Sequence, residues 1–219
     1  MNKTTVHIVD ASKRIFDILF SFSGILVSIP AFIIVALAIK LDSKGPVLFR
    51  QGRIGRNKKI FTIYKFRTMV LDAENIGTGI FNLENDFRVT KVGRFLRATS
   101  LDEIPQFFNI LKGNMSFVGP RPPITYELGN IDKLPLEYSN RFSVKPGVTG
   151  LAQVSGRNEL SWDEKIIFDN IYIGKLYRWG IFYDIYLIVI TVFKVIRNEG
   201  SFETEENIKK DSSRIDTRL

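Results

Sequence analysis

The sequence predicts a mainly helical α+β protein with a re-entrant N-terminal membrane helix, a small β-hairpin and interfacial amphipathic helices. Three features support this fold class. Residues 18–39 form an uncharged and mostly apolar run. Residues 47–51 and 60–66 are β-prone segments around a turn at 55–57, which is the pattern of a hairpin. Residues 181–196 are apolar but interrupted by charges, which favours a helix in the membrane interface, with a core helix as the alternative.

The uncharged run is long enough to reach across a bilayer. As a helix, residues 18–39 would extend about 33 Å at ~1.5 Å per residue. The run lacks the small-residue cleavage site that is typical of a signal peptide. A buried core helix is an alternative, but an uncharged run of this length favours membrane contact.

Pro30 lies near the middle of this run and predicts a break or kink, because proline lacks a backbone N–H. The nearby hydroxyl of Ser28 can satisfy a carbonyl that the proline leaves without a partner. Lys13 and Arg14 precede the run and a longer basic stretch follows it, whereas a simple span has a less positive flank on the outside. Two positive flanks predict a bend at Pro30 with both ends on the cytoplasmic side. A simple crossing is the alternative.

The net charge of +8 is concentrated in one stretch. No acidic residue occurs between Asp42 and Asp72, and the rest of the chain is neutral overall. The basic residues of this stretch are Lys44, Arg50, Arg53, Arg56, Lys58, Lys59, Lys65 and Arg67. Such a basic surface suits anionic lipid, nucleic acid or a phosphorylated substrate.

Shorter elements are predicted beyond the hairpin. Residues 72–85 fit a loop or short helix, residues 92–98 and 162–172 fit helices, and residues 151–154 fit a strand. The polar C-terminal residues 199–219 are predicted to be disordered.

The chain offers few reactive side chains. It has no cysteine, which excludes thiol catalysis. Its one histidine, His7, argues strongly against a Ser-His-Asp triad or a histidine-based zinc site. Covalent chemistry must therefore come from Asp, Glu, Ser, Thr, Tyr or Lys.

Asp102 and Glu103 are adjacent carboxylates in the segment SLDEIPQFFNILKGNMSFVGPRPP, residues 100–123. Ser100 and Glu103 also match a capping box, which would make the pair the start of a helix. Pro105 complicates a regular first turn because it removes a backbone hydrogen bond. The two interpretations are compatible, since helix N-termini bind phosphate groups.

The prolines of residues 119–123 predict a rigid loop that presents Arg121. Carboxylates among arginines suit phosphate chemistry, because a carboxylate can attack phosphorus and give an acyl phosphate. Each like-charge pair at about 4 Å costs roughly 1 kcal/mol in water and ~4 kcal/mol at an effective dielectric near 20. Attack by Asp102 on a diphosphate therefore needs arginines and a divalent cation, for which Mg²⁺ is the natural choice. Glu103 would steer the metal or assist proton removal.

Several motifs in one order resemble those of the bacterial sugar transferases of the small monotopic phosphoglycosyl transferase type. They cover residues 13 to about 196 and are KRIFDILF, KLDSKGPVLFRQGRIG, FTIYKFRTM, VGRFLRATSLDEIPQFFNILKGNMSFVGPRP, KPGVTGLAQVSGRN and Trp162. The resemblance implies transfer of a sugar 1-phosphate from a UDP-sugar to undecaprenyl phosphate, with release of UMP, as the first membrane step of a bacterial surface glycan pathway. It also implies a monotopic protein of the inner membrane whose catalytic domain faces the cytoplasm.

By matching position, the resemblance makes Asp102 the nucleophile of a covalent phosphosugar intermediate, with Glu103 as its partner and Mg²⁺ bound at the same place. The implied substrate-binding residues are Arg97, Arg121, Lys65 and Arg67. Lys65 and Arg67 are also compatible with surface or lipid-facing cations. Pro30 matches the helix-breaking proline of the family, but many relatives have serine directly before it, whereas Ile29 separates Ser28 from Pro30 here.

These inferences divide the chain into an N-terminal extension (1–12), a re-entrant membrane helix (13–41), a cytosol-facing catalytic domain (42–198) and a polar tail (199–219). Two other functions fit parts of the sequence. One is an anchored basic protein that binds anionic lipid or RNA, although no aromatic stacking motif for nucleic acid is distinct, so no nucleic-acid partner is expected. The other is a phosphohydrolase that uses the same carboxylates with water as the acceptor.

Overall fold

A computed structural model describes residues 3–77, 79, 86–156 and 159–197, so the tail for which disorder is predicted lies outside the described residues. The described chain is mainly helical, with a few short strands. The helices are α1 (Lys3–Asp42), α2 (Lys91–Ala98), α3 (Gln106–Lys112), α4 (Leu136–Ser139), α5 (Leu151–Ser155), α6 (Trp162–Trp179) and α7 (Ile181–Arg197). The strands are β1 (Leu48–Ile54), β2 (Ile60–Phe66), β3 (Ser116–Val118) and β4 (Gly147–Thr149).

The predicted hairpin is confirmed. β1 and β2 pair antiparallel, with Leu48 opposite Phe66 and Ile54 opposite Ile60. The connection is a short 3₁₀ turn in which Asn57 has a φ of 56°, a left-handed conformation that asparagine adopts more readily than most residues. The turn signal in the sequence therefore has a direct physical cause.

The strand predicted at residues 151–154 is wrong. These residues form α5, in which the amide of Val154 donates to the carbonyl of Gly150 at 3.0 Å. The strand in this region is β4, which ends at Thr149 and runs parallel to β3. A Cβ on Gly147 would lie 2.1 Å from the backbone nitrogen of Gly119, so glycine permits the close approach that selects the earlier segment for the sheet.

α1 is one continuous 40-residue helix that contains Pro30. It begins at Lys3, well before the predicted start at residue 13, because its first turns pack on the domain through Val9, which is buried against Tyr172 and its neighbours. Ser28 is buried, and its hydroxyl donates to the carbonyl of Ile25 at 3.1 Å. The re-entrant path stays a prediction.

The distribution of polar and apolar side chains on α1 is the reverse of that on a surface helix of a soluble protein. Several of the residues that it buries against the protein are polar, namely Lys13, Asp17, Ser21 and Ser28. Its exposed side is apolar and includes Ile15, Leu19, Phe22, Val27, Ile33, Ile34 and Leu37. Soluble helices bury the apolar side and expose the polar one. Among the described residues, α1 is the one helix that is long and apolar enough to cross a membrane, and its apolar exterior supports contact with lipid.

A buried polar cluster around Lys13 also joins α1 to the domain. The Nζ atom of Lys13 donates to the carbonyl of Val118 at 2.7 Å and forms an ion pair with Asp184. The hydroxyl of Tyr172 donates to the same carbonyl at 3.1 Å. One turn later, Asp17 accepts from the amide of Phe117 at 3.1 Å. α1 therefore fixes β3, the strand that leads into the proline loop.

α1 also holds the ends of α3 and α2. Arg14 donates to the carbonyls of Ile110 and Leu111 at 2.7 and 2.8 Å, near the C-terminus of α3, where a cation is favourable. At the other end of α1, a carboxylate oxygen of Asp42 accepts from the amide of Val92 at 2.9 Å, in the first turn of α2. α1 and the elements around the candidate site thus form one connected framework.

α6 and α7 pack against each other and against α1. α6 starts with a capping box between Ser161 and Glu164 and extends to Trp179, past the predicted end at residue 172. α7 buries Leu187 and Asp184 but exposes Phe182 and other apolar side chains. The helix predicted for this segment is confirmed, and its location in the membrane interface stays a prediction.

Candidate active site

The segment that follows α2 is a tight reversal. Ser100 has a φ of 56°, and its side chain makes no capping hydrogen bond. A 3₁₀ turn, Leu101–Glu103, follows it, and α3 begins only after Pro105. The capping box predicted for Ser100 and Glu103 is therefore wrong, because the left-handed backbone at Ser100 turns the chain from α2 into α3.

The reversal is fixed by apolar packing. Leu101 and Ile104 pack against a buried cluster that contains Phe66 and Leu96. Asp102 lies between these two anchors and is 8% exposed. The packing of Leu101 and Ile104 therefore fixes the backbone that carries the Asp102 carboxylate.

Four predicted site residues come together at this turn. The Nζ atom of Lys65 donates to Oε1 of Glu103 at 2.6 Å and lies 3.7 Å from Oδ2 of Asp102. Nη1 of Arg121 lies 3.9 Å from the same oxygen of Glu103. The side chains of Asp102 and Glu103 are each 12% exposed, so these charges interact more strongly than they would on an open surface. The hairpin, the turn and the proline loop each contribute to the cluster.

Arg97 approaches this cluster from the last turn of α2. Its Nε donates to Oγ1 of Thr68 at 2.9 Å. Burial lowers the pKa of Arg97, and the negative charges of Asp102 and Asp86 offset part of that effect. Arg97 is therefore held in the electrostatic field of Asp102.

Arg67 has different partners from the other predicted site residues. Its guanidinium donates to the carbonyl of Pro46 at 2.6 Å and to the hydroxyl and carbonyl of Ser43 at 2.8 and 3.0 Å. Its side chain is buried, and burial lowers the pKa of Arg67. These contacts fix the connection between α1 and β1, and the substrate-binding role predicted for Arg67 stays a prediction.

Arg141 supports the proline loop (residues 119–123), a role that was not predicted from the sequence. Its Nη2 donates to the backbone carbonyl of Arg121 at 2.6 Å and lies 3.1 Å from Oδ2 of Asp169. Its guanidinium also lies 4.8 Å from the centre of a ring of Trp162. Each of these partners lies 20 or more residues from Arg141 in the sequence. Trp162, which is among the residues that carry the family resemblance, was the one available signal for this cluster.

The acidic side chains suit a metal ion that is shared with a substrate. Among the residues that the structure describes, no group of three or more His, Asp or Glu side chains could hold a metal. Mg²⁺ in phosphate chemistry is usually bound by one or two carboxylates together with phosphate oxygens and water. The adjacent carboxylates of Asp102 and Glu103 fit that smaller requirement.

A carboxylate pair among cations, next to a helix with an apolar exterior, is the arrangement expected of an enzyme that handles phosphate groups at a membrane. The family model described as bacterial sugar transferase matches residues 8–198, and the chain belongs to this family.

Individual relatives support the same assignment. The chain is 45% identical over 195 residues to the UDP-glucose:undecaprenyl-phosphate glucose-1-phosphate transferase of Klebsiella pneumoniae, an alignment that covers 87% of this chain and 41% of the relative. It is 43% identical over 201 residues to the galactosyl transferase CpsE of Streptococcus agalactiae serotype III, with 87% and 43% covered. It is 38% identical over 195 residues to the uncharacterized sugar transferase EpsL of Bacillus subtilis, with 88% and 91% covered. The chain thus spans about two fifths of the first two relatives and most of the third.

Proposed function

We propose that this protein transfers a sugar 1-phosphate from a UDP-sugar to undecaprenyl phosphate and releases UMP. The observation that carries the proposal is the cluster in which Lys65 lies 3.7 Å from Asp102 and Arg121 lies 3.9 Å from Glu103. Family membership and the printed activity of the Klebsiella pneumoniae relative support this substrate class.

The reaction proceeds in two displacements at one phosphorus atom. A carboxylate oxygen of Asp102 attacks the phosphorus that carries the sugar, and the bond from that phosphorus to the bridging oxygen breaks. The bridging oxygen leaves with its electron pair as part of UMP, and an acyl phosphate joins the sugar phosphate to Asp102. A phosphate oxygen of the acceptor then attacks the same phosphorus, and the carboxylate of Asp102 is released.

The cations around Asp102 allow one anion to approach another. Lys65 offsets the charge of the two carboxylates, and Arg97 and Arg121 bind phosphate oxygens of the substrates. Guanidinium groups suit this task because they donate two parallel hydrogen bonds to phosphate. Glu103 orients Lys65 through their 2.6 Å hydrogen bond and assists proton transfer when the acceptor enters.

Asp102 and Glu103 would hold Mg²⁺ together with the donor. Bound Mg²⁺ supplies positive charge that reduces repulsion between the carboxylates and the diphosphate. Removing divalent cations with EDTA is expected to abolish UMP formation, and added Mg²⁺ is expected to restore it. Full activity in EDTA would remove the metal from the proposal.

The membrane arrangement follows from the exposed surfaces. The apolar exterior of α1 would lie in one leaflet with a bend near Ser28 and Pro30, and both basic flanks would remain on the cytoplasmic side of the inner membrane. The exposed apolar side of α7 would lie in the interface, and the basic stretch would contact anionic lipid head groups. Because α1 is bonded to the elements around the site, this placement keeps Asp102 near the depth of the acceptor phosphate.

The topology can be tested with one introduced thiol, because the chain has no cysteine. Thr4→Cys is expected to react with an impermeant maleimide only after spheroplasts are permeabilised, since the N-terminus lies inside. Labelling in intact spheroplasts would instead establish a simple crossing.

The activity can be tested by incubating purified protein with undecaprenyl phosphate, Mg²⁺ and a panel of UDP-sugars. At least one donor is expected to give UMP in proportion to the acceptor added. UMP or sugar phosphate formed without acceptor would indicate a phosphohydrolase. No product from any donor would favour an anchored protein that only binds anions.

A further inference from the structure

Thr68 lies between the strand that carries Lys65 and the helix that carries Arg97. It is 7% exposed, and its hydroxyl accepts from Nε of Arg97 at 2.9 Å. Its backbone carbonyl accepts from the amide of Thr90 at 3.0 Å, and Thr90 is the residue that caps α2. Thr68 therefore binds both ends of the helix that presents Arg97.

Gly93 makes this close contact possible. A Cβ at Gly93 would lie 2.0 Å from the carbonyl oxygen of Thr68, which no other residue type could accommodate without moving α2. Arg97 follows Gly93 by four positions, so both lie on the same side of the helix. The approach of α2 at Gly93 thus brings Arg97 to the hydroxyl of Thr68.

The guanidinium of Arg97 lies within the electrostatic influence of two carboxylates. The charges of Asp102 and Asp86 both act on its guanidinium. Asp86 also pairs with Arg88 at 2.6 Å, but its field still acts on Arg97. The hydroxyl of Thr68 contacts Nε of Arg97 directly, so it contributes to the orientation of the guanidinium within these charged surroundings.

We propose that Thr68 is a positioning residue, whose hydroxyl orients Arg97 so that the guanidinium meets the phosphates of the donor beside Asp102. This inference rests on the proposed transfer reaction and adds to it a residue that does not contact substrate. If this role is right, Thr68 affects the reaction with the donor only through Arg97. The hydroxyl of Thr68, and not the size of its side chain, is then responsible for that effect.

The test uses the full chain in detergent or lipid nanodiscs, with UMP release as the assay. Thr68→Val keeps the shape and removes the acceptor, and it is expected to lower kcat/KM for the donor by about 10- to 100-fold, the range for losing a hydrogen bond to a charged group. Thr68→Ser restores a hydroxyl and is expected to remain within about threefold of the wild type. Thr68→Ala replaces Thr68→Val if the valine variant does not fold, as judged by its melting temperature.

A double-mutant cycle separates positioning from a general structural role. In an Arg97→Ala background, Thr68→Val is expected to cause no further loss, because the residue through which it acts is gone. Losses that multiply, or a Thr68→Ser variant as impaired as Thr68→Val, would overturn the role of Thr68 while leaving the transfer reaction intact. A wild-type protein that releases no UMP from any donor would overturn the proposed function and this role with it.

Discussion

Replacing Lys65 by methionine tests whether the two carboxylates need their shared cation. Lys65 lies 2.6 Å from Glu103 and 3.7 Å from Asp102, and its side chain is 17% exposed. Methionine retains an unbranched apolar chain but removes the charge. A unit charge pair at about 4 Å is worth roughly 1 kcal/mol in water and ~4 kcal/mol at an effective dielectric near 20.

The partial burial of the site places the effect between these limits, at about 2–3 kcal/mol. The donor diphosphate would then approach two carboxylates with one cation fewer. Since 1.36 kcal/mol corresponds to a tenfold change in rate, kcat/KM for the donor is expected to fall on the order of 100-fold. The assay is steady-state UMP release at saturating undecaprenyl phosphate, with the melting temperature measured in the same detergent.

Two variants serve as controls. Lys65→Arg keeps the charge and is expected to retain more activity than Lys65→Met. Lys59→Met removes an exposed charge from the same hairpin and is expected to have little effect. A Lys65→Met variant that folds and keeps kcat/KM within threefold of the wild type would refute the argument.

Three further variants test other parts of the structure. Arg121→Ala is expected to raise the KM for the donor by about 10-fold or more, because it removes a charged hydrogen-bond donor. The control Arg50→Ala removes an exposed side chain of the hairpin and is expected to leave this KM unchanged. Equal donor kinetics in Arg121→Ala and the wild type would remove Arg121 from the site. Burial raises the pKa of Asp169 from 3.8 to about 6, so the folded state holds this proton more tightly than the unfolded chain and its contribution to stability is lost as pH rises from about 4 to 6. The wild type should therefore lose up to ~3 kcal/mol of unfolding free energy between pH 4 and 7 that Asp169→Asn does not lose. Parallel plots of unfolding free energy against pH for the two proteins would contradict this. Lys13→Met leaves Asp184 buried without its cation and is expected to destabilise the protein by about 3–5 kcal/mol, visible as a clear drop in melting temperature; an unchanged value would mean that this ion pair does not anchor α1.

The elements that depend on near neighbours in sequence could be predicted. The hairpin followed from β-prone segments around a turn, and α1 followed from an uncharged run, because hydrophobic pattern is a local signal. Two Ser-x-x-Glu patterns show the limit of such signals. The pattern at Ser161 forms a capping box, whereas the pattern at Ser100 lies in the reversal between α2 and α3, where tertiary packing determines the backbone conformation.

The site could be predicted only in part, because its supporting contacts join distant segments. Asp102 and Glu103 were conspicuous as a pair, and family resemblance indicated Lys65 and Arg121. No local pattern distinguishes Thr68, which acts on a side chain from another element. Similarly, no pattern showed that Arg67 would bond to the connection after α1, although it lies two positions from Lys65.

Mass spectrometry of the intact protein after brief incubation with a UDP-sugar and Mg²⁺, without acceptor, can detect the covalent intermediate itself. We expect an added mass of one sugar phosphate that maps to Asp102, disappears when undecaprenyl phosphate is supplied, and is absent in Asp102→Asn. An adduct on a different residue, or turnover by the Asp102→Asn variant at the wild-type rate, would contradict this expectation.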